Sequence, residues 1–138
     1  MPARRRHYPG RFDDLGKPPY DEDEHAVGEI WCAALMQMNR NIGAALGSKE
    51  KGHELGWQIV VDGMKLTAAN PNFLDARDGI LKALDGLNQS GKLAAGDFTK
   101  ARKAAWEAFA QFGMGAKAKS NGASLSGVIG DSTLPAGV

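Results

Sequence analysis

The stretch EHAVGEIWCAALMQMNRNIGAAL, residues 24–46, decides the fold. Val27, Ile30, Trp31, Ala34, Leu35, Met38, Ile42 and Leu46 recur in it at steps of three and four, which draws one continuous apolar stripe along a helix. Asp21, Glu22, Asp23 and Glu24 lie at its start, where carboxylates favour the positive end of the helix dipole. Gly47-Ser48 ends it.

Working outward, residues 49–66 carry a second helical pattern, with Leu55, Ile59, Val60 and Met64 aligned. Ile59-Val60-Val61 alone would suit a strand, but the longer period outweighs that reading, and Asn70-Pro71 forces a break. Asn72 with Asp75 three residues on predicts a capped third helix, along which Phe73, Ala76, Ile80, Leu84 and Leu87 share a face. Gln89-Ser90-Gly91 is a loop signal. Asp97 is the expected cap of a fourth helix carrying Phe98, Arg102, Ala105, Phe109 and Phe112, with Trp106 widening the stripe. Gly113 is placed to take the left-handed C-terminal conformation. Several glycines fall inside these patterns (Gly28, Gly43, Gly52, Gly56, Gly63, Gly79). Each costs about 1 kcal/mol relative to alanine, so the helices need tertiary packing to persist.

Residues 1–19 hold four of the six prolines and no periodicity, and read as an extended arm or loop. Residues 115–138, rich in Gly, Ser and Ala, read as an irregular tail with a short apolar anchor at Leu125, Val128 and Ile129. The expectation is an all-α fold: about four amphipathic helices clustered in one domain over 1–138, with a helical core at 20–114 between irregular tails.

The 138 residues suit one domain, and 43% apolar with 24% charged residues is the balance of a globular protein. Cys32 stands alone, so no intrachain disulfide staples the fold. No apolar run approaches the roughly 20 residues of a membrane span. The basic start leads to no hydrophobic stretch, so no secretory signal is read there. A net charge of +1 excludes a globally basic nucleic-acid binder. The charge is segregated, however: residues 1–11 carry four arginines, and residues 12–24 carry six acids and one lysine. Arg4, Arg5, Arg6 and Arg11 could touch nucleic acid with strongly salt-dependent affinity, but the acidic run would repel phosphates. Neither nucleic acid nor membrane is expected as a partner.

His25 lies where the acidic loop becomes a helix. A histidine there can donate a hydrogen bond into a cleft while a carboxylate fixes its tautomer, and Asp21 and Asp23 are the available orienting groups. The plain alternative is a solvated histidine in an acidic stretch. His53-Glu54 begins like the zinc-peptidase motif HExxH, but the second histidine is replaced by Trp57, which cannot ligate zinc. The three histidines have no partners at ligand spacing, so no metal site is assembled from this sequence. Cys32, on the apolar side near Trp31, reads as a small core residue. Arg77, between Asp75 and Asp78, reads as an ordinary helix-surface charge, as do Arg102 and Lys103.

Several segments together resemble one family. His25-Ala26-Val27-Gly28-Glu29-Ile30-Trp31 is similar to the "HAIGEVW" segment of fungalysin-type extracellular metalloendopeptidases. Asp62-Gly63-Met64-Lys65-Leu66, followed by Asn70-Pro71-Asn72-Phe73 and Ala76-Arg77-Asp78, resembles the family's "DGMKL…NPxFxxARDxIL". Trp106-Glu107-Ala108-Phe109-Ala110 with Gly113-Met114-Gly115 resembles its closing "WxAFAxxGxG". Order and spacing agree over about residues 5–138, and the ordered set is far more specific than any one motif.

The resemblance implies a secreted, thermolysin-like zinc peptidase in two halves. An upstream half carries HExxH and a downstream glutamate; the helical downstream half closes the cleft. This chain resembles the helical half and lacks the zinc ligands and the general base. His25 matches the family histidine that donates a hydrogen bond to the oxyanion formed in peptide hydrolysis, a contribution of about 3 kcal/mol. Arg6, before His7-Tyr8-Pro9, matches a family arginine that holds a substrate carbonyl. On this reading the partners are a zinc-bearing peptidase domain and a peptide or protein substrate. Zinc belongs to the complete enzyme, and the chain alone neither holds it nor cleaves protein. An apolar patch marking that interface is expected on the isolated chain. The rival expectation is a non-catalytic helical interaction module, in which His25 is dispensable.

Overall fold

The computed structural model describes residues 10–21 and 23–138. Four helices carry the architecture: α1 (Glu24–Leu46), α2 (Lys49–Leu66), α3 (Phe73–Gln89) and α4 (Ala95–Gln111). A 3-10 turn, Phe12–Asp14, precedes them, and an antiparallel hairpin, β1 (Lys119–Asn121) with β2 (Ser124–Ile129), follows. The all-α expectation holds. The tail is irregular apart from this small hairpin, in which Lys119 pairs with Ile129 and Asn121 with Ser124. Its short, Gly-interrupted strands carry too little alternation to be read from sequence.

Local chemistry sets the helix ends. Asp23 caps α1 by accepting the backbone N–H groups of His25 and Ala26, and Gly47 closes it at φ 71°. The Ser48 side chain accepts from Lys51 N at 3.2 Å to start α2. Asn72 and Asp75 form the reciprocal capping box of α3, at 2.8 and 3.1 Å. Asp97 does not cap α4. That helix begins at Ala95 after Ala94, with no side-chain cap, and Asp97 sits in its first turn, where its charge still suits the dipole.

α1 packs against both α2 and α4, and α2 against α3. Ile30, Met38, Ile42, Ile59, Leu84 and Phe109 are fully buried. Beside them Trp31 packs on Phe73 and Phe109, with ring centroids 5.5 and 6.1 Å apart. The buried face of α2 differs from the expected one. It is Gly52, Gly56, Ile59 and Gly63, with Leu55 and Val60 only partly covered and Met64 72% exposed. A side chain at Gly52 would run into the Gly43 backbone, and one at Gly56 into Asn39. At Gly63 a Cβ would lie 2.8 Å from Ile80 backbone atoms of α3. These glycines therefore let helix backbones approach at two crossings, which offsets their poor helix propensity.

The described part of the N-terminal arm is docked rather than extended. Phe12 is fully buried, Leu15 and Tyr20 nearly so, and Phe12 N donates to Phe112 O at 2.7 Å. Arg77 is also not a surface charge. It is 7% exposed, pairs with Asp78 at 2.8 Å, and lies 4.9 Å from the Trp106 ring. Its guanidinium donates to Met114 O at 3.0 Å and Gly115 O at 2.8 Å, pinning the chain beyond α4 to α3. Cys32, expected in the core, is exposed: the buried stripe of α1 runs through Ile30, Ala34 and Met38, and Cys32 falls behind it.

Candidate functional site

His25 is the second residue of α1, and its backbone is fixed from both sides. Asp23 Oδ1 accepts His25 N at 2.9 Å and Ala26 N at 3.4 Å. One turn later Ile30 is fully buried and Trp31 is packed among aromatic rings, so the helix that bears His25 is anchored close behind it. The His25 side chain itself is 91% exposed, with Nδ1 3.6 Å from Asp23 Oδ1. That separation is beyond a direct hydrogen bond and within ion-pair range. The Asp23 carboxylate, held by its two backbone donors, flanks the Nδ1 side of the ring, which leaves Nε2 as the outward nitrogen. Asp21 is exposed and makes no hydrogen bond or ion pair with His25 among the described residues. The structure thus brings Asp23 to His25 and not Asp21. Arg6 lies outside the described residues.

Among the described residues His25 faces solvent. Two surface depressions formed by those residues lie elsewhere. One of about 450 Å³ lies between Arg11, Gln111, Ser132 and Leu134; the other, of about 440 Å³, lies between Leu55, Asp62, Leu87 and Leu93. His25 lines neither.

The described residues do not fit zinc. Among the described residues no group of three or more His, Cys, Asp and Glu side chains is placed to hold a metal ion. At the position where HExxH would have its second histidine, Trp57 Nε1 donates to His53 Nε2 at 2.9 Å, which uses the lone pair a metal would need.

Trp57 lies on the outer side of α2. It is 55% exposed, and Val61 and Met64 follow it on the outer side of α2 at 46% and 72%. The signal was available: Gly52, Gly56, Ile59 and Gly63 recur at four, three and four, and a face of glycines marks close contact as surely as a face of leucines.

The chain matches the family model of the fungalysin metallopeptidases (M36) over residues 6–118. It is 33% identical to extracellular metalloproteinase 4 of Trichophyton rubrum over 127 residues, covering 82% of this chain and 18% of that protein. It is 30% identical to the extracellular metalloproteinase MEP of Neosartorya fischeri and 31% identical to that of Aspergillus fumigatus, over 83% of this chain and 18% of each relative. The chain therefore spans about a fifth of the length of the curated relatives it matches.

Proposed function

The chain belongs to the fungalysin metallopeptidase family (M36), and on that footing we propose that it is the helical part of a zinc metalloendopeptidase, closing the cleft in which peptide bonds are hydrolysed. The observation that carries this reading is the family match across most of the chain, with His25 set on the first turn of its longest helix. The zinc-bearing region would lie in the part of the relatives' length that this chain does not span; the described residues offer no ligand set. Family membership favours this reading over a non-catalytic interaction module.

In a complete enzyme a zinc ion, held by residues outside the described ones, would activate the attacking water. This chain supplies a positioned donor. His25 Nε2–H points away from Asp23 and donates to the oxyanion that develops on the substrate carbonyl. Asp23 flanks the ring on its Nδ1 side, and capping holds that carboxylate in place. Because the helix is anchored at Ile30 and Trp31, the backbone that carries the donor is fixed before charge develops. Arg6 is assigned to a substrate carbonyl, where a forked, permanently charged donor suits the task.

The test is complementation. The 138-residue chain is mixed with the zinc-loaded remainder of the Trichophyton rubrum relative, from which the matching segment has been removed. Proteolysis by the mixture, with none by either component alone, is the expected result. No proteolysis after demonstrated association would refute the peptidase reading.

A further inference from the structure

The outer face of α2 carries Trp57, Val61 and Met64 at steps of four and three, exposed by 55%, 46% and 72%. The contacts of Gly52 with Gly43 and of Gly56 with Asn39 set α1 and α2 antiparallel in a fixed register. Continuing that register brings Met36 of α1, 59% exposed, level with the middle of α2. A lone exposed apolar residue is ordinary; three along one helix face, one of them a tryptophan, with Met36 level with them on the adjoining helix, mark a surface made to be covered. The tryptophan is not loose. Its indole N–H is given to His53 at 2.9 Å, and the two rings meet edge to face at 82°. An anchor held in one orientation before binding loses less entropy on burial.

We propose that this face, with Trp57 as its anchor, is where the zinc-bearing region of the peptidase docks; the inference rests on the function proposed above. The occupant follows from three observations. The relatives extend over more than four fifths of their length beyond the matching segment, so in them this segment is built into a longer chain. The exposed line of α1 runs from His25 through Cys32 to Met36, so a partner seated on Trp57 and Met36 and extending along α1 also covers His25. A second copy of this chain would bring no metal-holding group among its described residues. The flexible thioethers of Met36 and Met64 suit such a contact, since they adapt to the shape that meets them.

The probe is the same zinc-loaded remainder of the Trichophyton rubrum relative, titrated with the 138-residue chain. Affinity is read by calorimetry, and Trp57 burial by acrylamide quenching. Binding should shield the exposed tryptophan. Trp57→Asp and Met64→Asp should each weaken affinity at least about tenfold, with helical content and Tm unchanged, whereas Lys100→Ala on α4 should bind as the parent does. Unchanged affinity in both aspartate variants overturns the docking face while leaving the peptidase reading intact. Self-association through this face, lost in Trp57→Asp, without binding to the probe, also overturns it. A parent chain that neither binds nor yields proteolysis overturns both.

Discussion

At Arg77 a guanidinium 7% exposed serves two carbonyls, one carboxylate and one indole face at once. Arg77→Met should lower stability by about 2–4 kcal/mol, because it leaves the Met114 and Gly115 carbonyls without their donor. Arg77→Lys should recover only part, since an ammonium cannot reproduce the planar fork; urea denaturation checks both. Asp131 makes the opposite case, an exposed carboxylate with an exact set of donors. The Thr133 hydroxyl, Lys117 N and Thr133 N all reach it, and they hold its pKa below the ordinary 3.8, the Thr133 hydroxyl most of all. A lowered folded pKa means that its contribution is complete above the unfolded value and fades as pH falls through the folded one. Amide exchange at Lys117 and Thr133 should therefore be slow at neutral pH, and Asp131→Asn should speed it there without touching α3. Sequence alone gave the position of His25 and its acidic neighbours. It could not choose between Asp21 and Asp23, because that choice is made by which carboxylate the helix start captures. Arg77 and Cys32 were misread for one reason: burial at those positions depends on which elements arrive, not on local pattern.

At the scale of the element, the helices were legible almost to the residue, because caps and breakers bracket them: Asp23 and Gly47 around α1, Ser48 before α2, Asn72 with Asp75 before α3. The start of α4 was the exception, since Ala94 offers no side chain to signal it. Helix faces were legible where large apolar residues form them and illegible on α2, where glycines do. That distinction yields a paired prediction. Gly52→Ala and Gly56→Ala put a methyl into Gly43 and Asn39 and should destabilise by about 1–3 kcal/mol. Gly28→Ala on the open side of α1, with nothing within 4 Å of the new methyl, should stabilise by up to about 1 kcal/mol. Thermal denaturation of the three variants separates close packing from propensity.

At the scale of the whole molecule, one feature of the geometry organises the rest: the residue assigned to chemistry stands on a rigid helix and projects outward. The hairpin, the 3-10 turn through buried Phe12, and Arg77 hold the flanking segments onto the helices, while α1 and α2 leave His25, Met36, Trp57 and Met64 exposed. Resemblance in the sequence pointed to the family, and the family match agrees with it over residues 6–118. The docking face was less visible, because a sequence shows that Trp57 and Met64 are apolar without showing that this chain leaves them uncovered. The most direct test of the account is the turnover of the complemented enzyme with His25→Ala. The account predicts kcat lower by about 10²–10³, with KM, zinc content and association of the two components near parental values. Parental kcat in that variant would contradict it.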